Sequence, residues 1–204
     1  EHSAPLAADH VVMTCGAGGA LNVALKTLLD PGDEVLIPTP YFVEYRFYVD
    51  NHGGVTKTVK TGDDFSLDLE ALEEAITEKT KVLLLNYPNN PTGRIYDGET
   101  IAALGDLLRR KNREYGKTVY ILSDEPYREI VYGGVPVPSV FPAYENSLIA
   151  TSYSKSLSIP GERIGFLAVH PAMTDFPKVM DGLVLCNRIL GYVNAPALMQ
   201  RVIA

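Results

Sequence analysis

One lysine stands among hydroxyl side chains in the segment Thr151–Ser158, and a glycine turn with an arginine follows it. A primary amine placed between a strand and a turn can attack a carbonyl group and can also carry a proton. A lysine chosen at random is most often a surface charge. A lysine in a run of hydroxyl side chains, between a strand and a glycine turn, is unlike a lysine on a solvated helix face, so this context favours chemistry at Lys155.

Two further segments place polar side chains directly after apolar runs. Asp124 follows such a run, and a carboxylate at the mouth of a sheet is costly unless it is paired. A protonated heterocyclic nitrogen would be a suitable partner, and Tyr127 could reach the same ligand. Asn90 lies in a turn rich in proline and asparagine and could present its amide. Taken alone, each segment is also explained by helix capping, packing or turn formation.

The segment Gly16-Ala17-Gly18-Gly19 separates a predicted strand from a predicted helix. Glycines let backbone N–H groups converge, and a following helix adds its positive end, so this segment can cradle a phosphate. A tight turn that binds nothing is an equally good interpretation of the glycines alone. The segment matches neither a P-loop nor a dinucleotide-binding fingerprint.

These residues must be positioned by a fold in which short β-rich runs alternate with helical patterns. We predict an α/β fold: a mostly parallel sheet of about seven strands with helices on both faces. The predicted strands cover residues 11–14, 34–38, 55–60, 82–86, 119–122, 147–151 and 164–169. The predicted helices cover residues 20–29, 43–51, 68–78, 101–115 and 171–190. Ligands of such sheets sit beyond the carboxyl ends of the strands, where the polar residues above are expected.

Taken together, the motifs resemble the class I and II aminotransferases, a family of pyridoxal-phosphate (PLP) enzymes with an aspartate-aminotransferase-like fold. The resemblance runs from about Val11 to the end of the chain. It is carried by Ser152-x-x-Lys155 with Arg163 eight residues later, by the segment 89–93 (Asn-Asn-Pro-Thr-Gly), and by Asp124-x-x-Tyr127. Their order and spacing agree with the family.

The resemblance implies a role for each residue around the cofactor ring. Lys155 would form a Schiff base with the PLP aldehyde and would later move the substrate proton. Asp124 would pair with the pyridinium nitrogen and keep the ring protonated. Tyr127 and Asn90 would hydrogen-bond the phenolic oxygen. Lys155, Tyr127 and Asp124 would thus be the catalytic residues.

At the other end of the cofactor, the resemblance implies a phosphate site. Ser152 and Arg163 would bind the phosphate through side chains. The backbone amides of Ala17 and Gly18 would complete the cradle. Many relatives carry a hydrogen-bonding side chain at the position of Gly18, so that contact is either lost here or supplied by the backbone. Phe42 would lie flat on the ring, with Tyr41 as the other candidate.

Composition and charge limit the possible partners. The formal net charge is −7, so the chain lacks the electrostatic footprint for nucleic acid or an anionic membrane. Cys15 and Cys186 match no metal-ligand spacing, so we expect no metal and reduced thiols in a cytoplasmic setting. The first residues lack the features of a signal peptide, and no apolar run has the length of a membrane span.

We expect residues 1–204 to be the PLP-binding large domain of a longer protein, because the first methionine is Met13 and the end lies in an uncapped helical pattern. Family members are about twice this length. The resemblance implies a homodimer acting on an amino acid and a 2-oxo acid, with a small domain that holds the substrate. We therefore expect the isolated chain to be unable to catalyse transamination.

Two alternatives to an aminotransferase stay open. The same cofactor residues would serve a β-lyase that cleaves C–S bonds, or a decarboxylase, because the residues supply only the electron sink. Some bacterial transcription regulators also join a DNA-binding module to an aminotransferase-like domain that senses PLP. The sequence leaves the amino donor and acceptor undetermined.

Overall fold

A computed structural model describes residues 4–204 of the chain; the first three residues, on which the expectation about a signal peptide partly rests, lie outside that range. The strands are β1 Val11–Thr14, β2 Glu34–Thr39, β3 Val55–Lys60, β4 Thr80–Asn86, β5 Tyr120–Asp124, β6 Ser147–Ser152 and β7 Gly165–Val169. The helices are α1 Gly16–Leu28, α2 Glu44–Asn51, α3 Leu69–Ala75, α4 Gly98–Tyr115, α5 Tyr153–Ser156, α6 Phe176–Ile189 and α7 Ala197–Ile203. Short 3₁₀ turns cover Ala8–His10, Tyr132–Gly134 and Pro160–Glu162.

The strands form one seven-stranded sheet in the order β1-β7-β6-β5-β4-β2-β3. Strand β7 runs antiparallel to both β1 and β6, and the remaining neighbours are parallel. The predicted mostly parallel α/β fold is therefore confirmed. Because β7 is reversed, its first residue lies level with the last residues of β1 and β6, where Gly165 pairs with Thr14 and Ser152.

The central strands are buried on both faces, as their apolar runs predict. In β4, Val82 and Leu84 face one core, whereas Leu83 and Leu85 face the other. Helices α1, α2 and α6 cover the first face, and α3 and α4 cover the second. Burial of these apolar side chains supplies the main driving force that holds the sheet and helices together.

Local signals set the ends of the helices on the second face. The carboxylate of Asp68 accepts a hydrogen bond from the Ala71 amide at 2.9 Å, and Asp97 accepts one from the Thr100 amide at 2.7 Å. Both are N-caps that satisfy free amides of the first turn. Helix α4 ends at Gly116, whose left-handed backbone makes a favourable C-cap.

The structure corrects four predicted helices, and one of the corrections is that α4 begins at Gly98 rather than at residue 101, after the N-cap Asp97. The glycine segment that begins at Gly16 is the first turn of α1 and not a loop before it, so its amides belong to a helix N-terminus. Helix α3 ends at Ala75 rather than at residue 78. Helix α6 begins at Phe176, with Pro177 and not Pro171 in its first turn, because the preceding residues form a separate turn closed by the Met173 amide and the His170 carbonyl.

Within residues 4–204, no helix combines the length and the apolar character that crossing a bilayer requires.

Candidate active site

A cavity of about 290 Å³ opens at the carboxyl edge of the sheet, between α1, α2 and the ends of β4, β5 and β6. All of the nine residues predicted from the sequence line it. They are Ala17, Gly18, Phe42, Asn90, Asp124, Tyr127, Ser152, Lys155 and Arg163. Residues that are 146 positions apart in sequence, such as Ala17 and Arg163, therefore meet at one place.

The carboxylate of Asp124 lies at the floor of the cavity, where β5 ends. Its Oδ2 accepts a hydrogen bond from the Tyr45 hydroxyl at 2.5 Å. Its Oδ1 is buried and has no partner among the residues that the structure describes. A buried carboxylate oxygen without a partner is costly, so this atom marks a place for a cationic or hydrogen-bonding ligand group.

Burial is the main cause of the pKa shifts of Asp124 and Tyr45. It raises the pKa of Asp124 to about 7, and the Tyr45 hydrogen bond acts in the opposite direction. Burial also raises the pKa of Tyr45, and the neighbouring Asp124 charge adds to that effect. Tyr45 thus stays a donor, and Asp124 would gain most from a positively charged partner in the cavity.

Lys155 lies on α5, directly after β6, and its side chain is exposed at the cavity. Its Nζ lies 5.7 Å from the centroid of the Tyr127 ring. Burial and the nearby Asp124 raise the pKa of the Tyr127 hydroxyl, whereas its hydrogen bond with Asn90 lowers that pKa. An amine, a phenol and an amide are thus brought together around one space.

The turn that carries Tyr127 is fixed by a buried ion pair on the other side of the sheet. Glu125 lies 3.0 Å from Nη1 of Arg128 and accepts a hydrogen bond from Ser123 at 2.7 Å. Arg128 also donates to the Val137 carbonyl. Breaking this pair is costly, because either charge alone would be buried and unpaired. The pair therefore holds the turn next to Tyr127 in its conformation.

Arg163 stands at the opposite end of the cavity, against the first residue of α1. A Cβ atom on Gly16 would lie 2.9 Å from its Nη2 atom, so a larger residue there would displace the guanidinium from this position. Gly16 also has a φ of +71°, a conformation that favours glycine. Within the described range, Arg163 takes part in no ion pair; its Nη1 donates to the Pro160 carbonyl at 3.1 Å.

The backbone around this arginine is tightly packed. A Cβ atom on Gly165 would lie 2.4 Å from the Thr151 carbonyl oxygen and 2.9 Å from the Gly16 Cα. The close approach brings the N-terminus of α1 next to Ser152 and Arg163. Amides of a helix N-terminus, a hydroxyl and a guanidinium form a donor set that suits a phosphate.

The two aromatic candidates, Phe42 and Tyr41, differ in their position relative to the cavity. Phe42 lines the cavity, whereas Tyr41 does not and faces neighbouring pockets instead. The Phe42 ring packs edge-on against Tyr45, with the ring centroids 5.6 Å apart.

Sequence reasoning missed several residues of the cavity. Tyr45 and Tyr48 follow Phe42 at three-residue spacing, and this spacing on a predicted helix was the available signal for a shared face. Asn86 was also missed as a site residue. Its side chain donates to the Asp124 carbonyl at 2.9 Å and accepts from the Asn90 amide at 2.7 Å, which ties the proline-rich loop to β5.

A metal site is not indicated: residues 4–204 contain no group of three or more histidine, cysteine or acidic side chains that could hold an ion. Both Cys15 and Cys186 are free thiols.

Comparison with known proteins gives matches over nearly the whole chain. The sequence profile described as Aminotransferase class I and II matches residues 1–203. A probable aspartate aminotransferase of Methanocaldococcus jannaschii is 37% identical over 176 residues, which are 86% of this chain and 45% of that protein.

Two solved structures have similar folds. An amino transferase from Eubacterium rectale is 43% identical with a TM-score of 0.95, over 98% of this chain and 50% of that one. The aspartate aminotransferase from Thermus thermophilus with maleate is 29% identical with a TM-score of 0.82, over 95% of this chain and 48% of that one.

The chain spans about half the length of the relatives that it matches. The profile match covers almost every residue, and the two solved structures share the fold over at least 95% of this chain. The chain belongs to the class I and II aminotransferase family.

Proposed function

We propose that residues 1–204 are the PLP-binding large domain of an aminotransferase, which moves an amino group between an amino acid and a 2-oxo acid with Lys155 as the cofactor anchor. The observation that carries the proposal is the meeting of Lys155, Asp124 and Arg163 around one cavity. An amine, a buried carboxylate and a guanidinium match the aldehyde, the ring nitrogen and the phosphate of PLP, respectively.

The residues present fit this cofactor. The unpartnered Oδ1 of Asp124 can accept a hydrogen bond from a protonated ring nitrogen, which would relieve the cost of burying that atom. The N-terminal amides of α1, with Ser152 and Arg163, can accommodate the phosphate dianion. When bound, PLP supplies an electron sink for the carbanion of an amino acid.

Each side chain then has a defined task. Lys155 offers a primary amine that would hold the cofactor through its aldehyde and, as a free amine, would carry the proton of the substrate α-carbon. Tyr45 holds Asp124 in place and keeps its second oxygen directed at the cavity. Tyr127 and Asn90 can hold a negatively charged oxygen between the phenol and the amide. Phe42 closes the cavity from the side of α2.

We place this domain in a cytoplasmic homodimer. The remaining half of the relatives' length would supply the groups that bind the substrate, so this chain alone should hold most of the cofactor site and little of the substrate site. Apolar side chains exposed on α6 and α7, such as Leu185 and Leu198 at 57% and 73% exposure, support contact with further protein.

Product analysis on the natural protein that contains this chain tests the reaction type. Aspartate is the first donor to try, because several relatives bear the name aspartate aminotransferase. Formation of a 2-oxo acid together with pyridoxamine phosphate would support transamination. Release of ammonia and pyruvate, or of carbon dioxide, would assign a lyase or a decarboxylase instead. Specific DNA binding without turnover would favour a regulator.

A further inference from the structure

The phosphate end of the cavity contains a hydroxyl group at the place where a side chain at position 18 would begin. A Cβ atom added to Gly18 would lie 3.3 Å from the Tyr48 hydroxyl oxygen. Tyr48 therefore fills the space beside the cradle that glycine leaves open. Tyr48 reaches it from α2 and lines the same cavity as Arg163.

The Tyr48 hydroxyl can donate a hydrogen bond. It is half-buried and donates to the carboxylate of Glu44, one helical turn earlier, at 2.5 Å. Burial and the Glu44 carboxylate both raise the pKa of Tyr48, so the hydroxyl keeps its proton. Glu44 is exposed and can turn into solvent at low cost.

We propose that the Tyr48 hydroxyl is a ligand of the cofactor phosphate and replaces the side-chain donor that Gly18 lacks. The inference rests on the proposed function. The hydroxyl has a single proton, so the phosphate and Glu44 compete for it. In the empty cavity Glu44 holds the Tyr48 hydroxyl in position, and a phosphate dianion bound beside Gly18 would take over this hydrogen bond.

The competing explanation is an ordinary pair of side chains on a helix surface, four residues apart. The two explanations differ in what the hydroxyl does for ligands. A surface pair has no effect on the affinity for phosphate compounds, whereas a phosphate ligand changes the affinity for PLP and leaves pyridoxal, which lacks the phosphate, unaffected.

The test compares PLP, pyridoxal and inorganic phosphate binding to the wild-type chain, Tyr48→Phe and Glu44→Gln. Loss of one hydrogen bond to a charged group should weaken PLP binding about tenfold in Tyr48→Phe. The affinity for inorganic phosphate, measured by ³¹P NMR, should fall in parallel. The affinity for pyridoxal should stay within about twofold of the wild-type value. Glu44→Gln removes a negative competitor and should bind PLP more tightly.

Tyr115→Phe is the matched control, because Tyr115 lies outside the cavity and its hydroxyl contacts the Ile76 carbonyl. It should leave all three affinities unchanged. Unchanged PLP and phosphate affinity in Tyr48→Phe would overturn the inference. If phosphate binding depends on Tyr48 but PLP never attaches to Lys155, the phosphate ligand stands and the proposed function fails. A chain that binds neither compound contradicts both.

Discussion

At the scale of single residues, the carboxylate of Asp124 has the most exacting environment in the described part of the chain. It is buried at the end of β5, one oxygen accepts from Tyr45, and the other has no partner. Such a group lowers the stability of the empty protein and raises its affinity for a cationic ligand. A site with such a carboxylate has a lower folding stability when empty and a higher affinity for its ligand.

The pKa of Asp124 gives a prediction about the empty protein. Burial raises that pKa from 3.8 to about 7, so ionising Asp124 costs more in the folded chain than in the unfolded one. Its contribution therefore lowers the stability as pH rises from about 4 to about 7, and the loss persists above that pH. The shift corresponds to at most about 4 kcal/mol.

Asp124→Asn removes this contribution. We expect the variant to be more stable than the wild type at pH 8 and equal to it near pH 4, as measured by urea unfolding without ligand. Glu125 is retained in both proteins; burial raises its pKa to about 7 and the Asp124 charge adds to that rise, so its titration is followed separately in each protein. A stability difference that does not vary with pH would contradict the assignment.

Tyr45→Phe tests the hydroxyl that orients this carboxylate. The hydrogen bond lowers the pKa of Asp124, so its loss should move the Asp124 titration to higher pH. At pH 8 the variant should lose about 1 to 3 kcal/mol of stability, because the buried carboxylate then has no donor. Carboxyl ¹³C NMR follows the titration directly. An Asp124 titration that is identical in both proteins would show that Tyr45 has no such role.

At the scale of elements, the cavity exists because four strands end or begin at one edge of the sheet. Strands β4, β5 and β6 point their carboxyl ends there, and the reversed β7 begins there. This edge was predictable, because polar residues such as Asp124 and Asn90 directly follow apolar runs in the sequence.

The missed features depend on packing between distant elements. Tyr45 reaches Asp124, which is 79 residues away in sequence, only because α2 packs across the sheet. Gly16 was assigned to a turn before the helix; its φ of +71° and the close approach of the Arg163 guanidinium explain why glycine stands at the first position of α1. Pro171 was chosen as a helix start because proline suits first turns, but the chain offers Pro177 for the same position.

Gly165→Ala tests the tight packing that forms the phosphate end. The added methyl group would meet the Thr151 carbonyl at 2.4 Å, so the strand pair and the start of α1 must separate. We expect a loss of about 1 to 3 kcal/mol in urea unfolding and weaker binding of inorganic phosphate. Gly161→Ala is the matched control, since a Cβ atom there meets nothing within 4 Å. Equal effects of the two substitutions would contradict this account.

At the scale of the whole molecule, the chain carries the proposed cofactor site on a seven-stranded sheet and covers about half of each matched relative. We expect the isolated 204-residue chain to bind PLP but not to sustain transamination between aspartate and 2-oxoglutarate. A coupled assay for oxaloacetate measures this, and the natural protein that contains the chain is the positive control. Sustained turnover by the isolated chain would refute the proposal that the groups binding the substrate lie outside these 204 residues.

The most direct test of the central claim is to locate the covalent bond to PLP. The chain is incubated with PLP, reduced with borohydride, digested and analysed by mass spectrometry, with Lys155→Ala and the surface variant Lys178→Ala in parallel. The account predicts a single label on Lys155 in the wild type and in Lys178→Ala, and no such label in Lys155→Ala. A folded wild-type chain without a label, or with the same labelling in Lys155→Ala, would contradict it.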